Sequence, residues 1–227
     1  MPGMFQLGSI RGTTIALDFS FFILVALFVM TSYNPDLGIH YALLWIPILF
    51  LSILIHELAH AAMFGIFGYG PSQIVLGGIG GHTMAAAKQN VKPWQEMLIS
   101  IAGPLSSFAL AWVMVILFQQ ISFVRQDPML VAFVPLMARA NFFWGLFNCI
   151  PITPLDGGHA LRSFLRMFLP DRKAFAIAVW IGIAVGAAVA IYGLIERQIF
   201  VAVLIAWYVF MNYQQWQYYR DHGTPGD

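Results

Sequence analysis

Apolar residues run in six long blocks, at about Ile15 to Met30, His40 to Phe67, Met97 to Val124, Met129 to Ile150, Ala174 to Ile195 and Ile199 to Trp216. A helix rises about 1.5 Å per residue, so roughly 20 apolar residues cross the hydrocarbon core of a bilayer. The blocks therefore predict about six transmembrane helices. Asp18 shortens the apolar part of the first, and only Glu196, Arg197 and Gln198 separate the last two. If those three residues do not turn the chain, the count falls to five.

Between the second and third blocks, from Gly68 to Asn90, the pattern changes. Ile74-Val75-Leu76 leads into Gly77-Gly78, Ile79 and Gly80-Gly81, which suits short extended strands joined by a tight turn. The expected fold class is thus an all-α polytopic membrane protein with a short membrane-associated β/Gly-rich segment between its second and third helices. An exposed sheet edge there would offer hydrogen bonds to an extended peptide. With no internal repeat and no long linker, residues 1–227 read as one membrane-embedded domain.

Composition agrees. Of 227 residues 60% are hydrophobic and only 9% charged, too few charges to cover the surface of a soluble domain. The net charge is +1 and the basic residues form no stripe, which gives no support for a nucleic-acid partner and leaves the lipid bilayer as the surroundings. The single cysteine, Cys149, allows no intramolecular disulfide.

Basic residues also orient the helices. With six spans and a cytoplasmic N-terminus, Arg11, Lys88, Lys92, Arg162, Arg166, Arg172, Lys173 and Arg220 face the cytoplasm, Arg125 and Arg197 face the other side, and Arg139 lies within the fourth span. That bias follows the positive-inside rule and puts both termini on the cytoplasmic side. The first block reads as a retained helix, since no small-residue cleavage site follows it.

Ionisable groups are expensive in apolar sequence, yet His56-Glu57-Leu58-Ala59-His60 sits inside the second block. On a helix the two histidines lie one turn apart on one face, able to reach one zinc ion, with Glu57 beside the water such an ion activates. Six His and three Glu in 227 residues give an expectation of about 0.002 for this pattern by chance. The orientation above puts the motif in the cytoplasm-proximal half of its helix, with access from that side.

Zinc hydrolases ordinarily take a third protein ligand and keep one position open. The best candidate is Asp156, in Asn148-Cys149-Ile150-Pro151-Ile152-Thr153-Pro154-Leu155-Asp156-Gly157-Gly158, where two prolines break a helix and two glycines permit close backbone approach. As an alternative, Asp156 caps a helix starting near Gly158.

These two motifs, with Pro93 to Leu105, resemble the site-2 protease family of intramembrane zinc metalloproteases over about His56 to Gly158. The resemblance implies that His56, His60 and Asp156 hold one Zn2+ per chain, that Glu57 is the general base, and that Asn148 lies near the active site and engages substrate or the polarised intermediate. It implies a catalytic core over about residues 39–160 flanked by peripheral helices at about 15–30 and 174–216, in a bacterial or archaeal cell membrane. Its substrates would be transmembrane segments of other proteins with a locally unwound helix, often shortened first by a different protease, and a regulatory membrane protein is a further class of partner. Unwinding is required because a helix ties up its own peptide groups.

Two other function classes fit less well. A zinc or ion transporter wants acidic and histidine groups on several spans, and a non-catalytic scaffold has no need of Glu57. Of the remaining residues, His159 reads as an interfacial or turn-stabilising group, Cys149 as a buried structural thiol and His82 as a loop histidine. Arg139 snorkels or faces water, and the aromatic tail from Trp207 to Tyr219 forms an interfacial belt. Gly182, Ala184, Gly186, Ala187 and Ala188 suit close helix packing.

Overall fold

Where the apolar pattern predicts a first transmembrane helix from Ile15, the chain instead forms a hairpin of β1 (Met4–Ile10) and β2 (Thr13–Asp18). Arg11 and Gly12 join the strands with φ of 49° and 84°, as a two-residue hairpin turn requires. The β-branched run Thr13-Thr14-Ile15 favours this extended start, and an apolar run so short does not by itself distinguish a buried strand from a helix. Helix α1 spans only Phe19–Thr31; Asp18 caps it by accepting from the Ser20 amide at 2.9 Å. Its 13 residues rise about 20 Å, short of a bilayer core.

The computed structural model describes residues 4–78, 80–85 and 91–222; Ile79 and Lys88 lie outside them. After α1 come α2 (Ile39–Leu43), α3 (Trp45–Ile66), β3 (Ser72–Gly77), β4 (Gly80–Ala85), α4 (Pro93–Gln120), α5 (Ser122–Gln126), α6 (Leu130–Asn148), α7 (Asp156–Leu165), α8 (Asp171–Ile195) and α9 (Ile199–His222). Among the described residues, five stretches are long and apolar enough to cross a membrane: Ile39–Ile66, Pro93–Gln120, Leu130–Asn148, Asp171–Ile195 and Ile199–His222. Glu196 to Gln198 do turn the chain, with Arg197 at φ 58°. The all-α expectation is corrected accordingly: the protein is polytopic and mostly helical, with a four-stranded sheet whose first two strands precede the helices.

The chain divides into two compact units, Met1–Asn90 with Ala102–Gly145, and Val91–Ile101 with Leu146–Asp227. In the first, the sheet order is β1-β2-β3-β4, with β2 and β3 parallel and the outer pairs antiparallel. Ile15 pairs with Ile74 and Leu17 with Leu76. These four side chains pack with Phe21 and Leu24 of α1 and Leu49 and Ile53 of α3 into one core. Gly68 and Gly70, at φ 76° and 80°, end α3 and turn the chain into β3, which leaves β4 at the edge of the sheet.

In the second unit Ile152 and Leu155 pack against Ala190 of α8 and Ile205 and Tyr208 of α9. Asp171 accepts from Arg162 at 3.1 Å and forms an ion pair with Arg166 at 2.6 Å, and Arg166 also donates to Glu96 at 2.7 Å. This network ties α7 to the first turns of α8 and α4. Exposed large side chains such as Trp112 on α4, Phe143 on α6 and Trp207 on α9 suit a lipid-facing surface.

Candidate metal centre

His56 and His60 lie one turn apart on α3, their ring centroids 4.9 Å apart. His56, Glu57 and His60 are all nearly inaccessible, at 2%, 4% and 6% exposure, and a ligand atom from each lies within 4.8 Å of the others. Three ionisable groups buried together incur a large desolvation cost unless something charged or hydrogen-bonding is shared among them.

The space they share is kept open by a glycine. A Cβ placed at Gly103 of α4 would collide with His60 Nε2 and stand 2.5 Å from His56 Nε2, so both Nε2 atoms converge on one volume that any side chain would fill. One turn further along α4, the buried Ser107 places its hydroxyl 3.0 Å from His56 Nδ1. That contact engages one nitrogen of the ring and directs the other to the shared space. Trp144 of α6 stands edge-on to His56, with centroids 6.4 Å apart.

Glu57 is held from the sheet. Thr83 of β4 donates its hydroxyl to Oε2 at 2.7 Å and to the Glu57 carbonyl at 3.2 Å. Gly81, two residues earlier and so on the same face of the strand, admits the carboxylate: a Cβ there would overlap Glu57 Cγ and lie 2.6 Å from Oε1. Two converging imidazoles are borderline donors that fit zinc, and the Glu57 carboxylate stands beside them as a base.

Asn148 and Asp156 belong to the second unit. Asn148 ends α6 and is buried; Asp156, half-buried, opens α7, which starts there and not near Gly158, with Leu155 in the capping position. Asp156 therefore occupies the first helical turn and is not the cap. The loop between them folds tightly onto the helix start: a Cβ at Gly157 would overlap the Cys149 carbonyl, and one at Gly158 would lie 2.5 Å from the Ile152 carbonyl carbon.

Among the other residues singled out from sequence, His82 lies on β4 and not in a loop, exposed on the face opposite Gly81 and Thr83. Cys149 is exposed and free, contrary to the buried thiol expected; it follows directly on the end of α6, outside the packed helix. His159 and Arg139 are exposed. Gly103, Ser107, Gly81 and Thr83 were missed. Their only signals were a Gly-Pro step and a serine four residues on within an apolar helix, and a threonine alternating with glycine in a strand.

Residues 123–191 match the model of a family described as Peptidase family M50. A zinc metalloprotease from Methanocaldococcus jannaschii is 30% identical over 92% of this chain and 59% of its own length. The stage IV sporulation protein FB of Bacillus subtilis is 32% identical over 56% of this chain and 42% of its own. The chain thus spans at most about three-fifths of these two relatives. A solved structure of a site-2 protease from Methanocaldococcus jannaschii superposes with a TM-score of 0.64 at 30% identity, covering 93% of this chain and 94% of that one. Agreement of this kind along the whole fold, around a buried pair of histidines with a glutamate between them, establishes that the chain belongs to the M50, or site-2 protease, family of intramembrane zinc metalloproteases.

Proposed function

We propose that this protein is an intramembrane zinc endopeptidase that hydrolyses peptide bonds in transmembrane segments of other membrane proteins. The observation that carries the reading is the buried His56-Glu57-His60 cluster with both Nε2 atoms turned toward the volume Gly103 leaves open. His56 and His60 would hold one zinc ion, with Asp156 as third ligand on the strength of its motif. When bound there, zinc supplies Lewis acidity, lowering the proton affinity of a water and polarising a scissile carbonyl.

The rest falls to the chain itself. Glu57 accepts the proton of the attacking water and delivers it to the leaving amine. Thr83, bonded to Oε2, holds the carboxylate in one orientation for both transfers. Asn148 donates to charge developing on the carbonyl oxygen. A locally unwound substrate pairs with the edge strand β4, which carries Gly81 and Thr83 against Glu57.

In this reading residues 1–227 act as one membrane-embedded domain with a core at about 39–160. The six-span orientation, with both termini and the access route on the cytoplasmic side of a bacterial or archaeal cell membrane, belongs to this reading and requires the segment around α1, itself shorter than a bilayer core, to complete one passage. A regulatory membrane protein is the further partner class.

The test compares wild type with Glu57→Gln, as the full chain in detergent, against a peptide spanning a membrane segment. The variant is expected to keep one zinc per chain and lose cleavage. Persistent cleavage, or a wild type that binds no zinc, overturns the reading.

A further inference from the structure

Asn212, on α9 and 2% exposed, makes two hydrogen bonds of opposite sense with one residue: its Oδ1 accepts from the Thr153 hydroxyl at 2.7 Å, and its Nδ2 donates to the Thr153 carbonyl at 2.6 Å. The same Nδ2 donates to the Tyr208 carbonyl at 2.8 Å, which anchors the amide to its own helix. Thr153 stands between Pro151 and Pro154 in the segment that α6 and α7 leave outside any helical ladder, so its backbone carbonyl depends on a side chain for a partner. Two residues after Thr153, Leu155 caps α7, and Asp156 is the first residue of that helix.

Helix α8 holds the same segment from another side. Gly182 lets the Pro151 carbonyl approach to within 2.7 Å of where a Cβ would stand, and Gly186 likewise admits Ile152 Cδ1. Beside this clamp lies a cavity of about 720 Å³ lined by Thr153, Pro154, Asn212 and Gln215 among others. Packing on that side is open, so loss of the amide bonds frees the segment to move into the cavity without unfolding the helices.

We infer that Asn212 is a positioning residue for Asp156, acting through Thr153 to fix the start of α7. The inference rests on the zinc-peptidase reading, in which Asp156 is a ligand. Thr153 presents a donor and an acceptor, and an amide is the side chain that answers both at once.

The full chain in detergent is freed of metal and titrated with Co2+, whose absorption spectrum reports ligand geometry, and zinc affinity is measured by chelator competition. Asn212→Ala is expected to weaken binding about 10- to 100-fold and alter the Co2+ spectrum, with helix content unchanged. In an Asp156→Ala background it is expected to add nothing further. Unchanged affinity, or the same loss in both backgrounds, overturns the inference while leaving the zinc reading standing. If Asp156→Ala binds metal as wild type does, Asp156 is no ligand and the inference falls, while the His56 and His60 site still stands. Should Asn212→Ala fail to fold, Thr153→Val, which removes only the hydroxyl arm, decides: a loss of about 3- to 10-fold confined to chains with Asp156 supports the inference, and a loss independent of Asp156, or none, overturns it.

Discussion

The Ser107 hydroxyl lies 3.0 Å from His56 Nδ1, so a helix other than the one carrying the histidines determines how one of them faces the site. A histidine that binds metal through Nε2 must carry its proton on Nδ1, and Ser107 is placed to accept it. Ser107→Ala removes that acceptor without adding bulk. Zinc affinity, read by chelator competition, is expected to fall about 10- to 100-fold with little change in the thermal stability of the metal-free protein. An affinity equal to that of wild type would show that the contact orients nothing.

Gly103→Ala separates metal binding from folding. Within a helix, alanine is favoured over glycine by about 1 kcal/mol. The atoms a Cβ would meet there are imidazole ends, which can swing aside. The metal-free variant is therefore expected to fold, while zinc binding is lost because the two Nε2 atoms no longer share a volume. Retention of one zinc per chain would mean that the ion sits elsewhere.

Thr83→Val keeps the shape of the side chain and removes the proton donor to Glu57 Oε2. A hydrogen bond to a charged group contributes about 1.5–3 kcal/mol, so kcat is expected to drop about 10- to 100-fold. Zinc content should stay at the wild-type level, since no proposed ligand is touched. A fall in zinc content alongside kcat would instead assign Thr83 to the metal shell.

Sequence pattern made the helices and the His-Glu-x-x-His cluster legible because both are local: a bilayer sets helix length, and one helical turn sets the spacing of His56 and His60. The strands β3 and β4 were legible from their glycines. The hairpin β1-β2 was not, although Arg11-Gly12 and the β-branched Thr13 to Ile15 were available signals, because Ile15, Ala16 and Leu17 are buried together and read as the start of an apolar helix. Gly103, Ser107 and Thr83 stayed hidden for a different reason. Each acts through a partner dozens of residues away, and no period along one element marks such a contact.

Gly182 offers a test of the second unit that needs no metal. Small residues along α8 read as a helix-packing stripe, yet the neighbour that Gly182 admits is the backbone of the Pro151 loop. A Cβ there would stand 2.7 Å from the Pro151 carbonyl oxygen, and a backbone atom cannot step aside as a side-chain end can. Forcing an extra carbon into such a contact costs about 1–3 kcal/mol, more than the roughly 1 kcal/mol that alanine gains over glycine in a helix. Gly182→Ala is therefore expected to lower the melting temperature of the metal-free protein. Gly65→Ala, on α3 where nothing lies within 4 Å, is expected to leave it unchanged or raise it. Equal melting temperatures for the two variants would mean that the loop is not seated against α8.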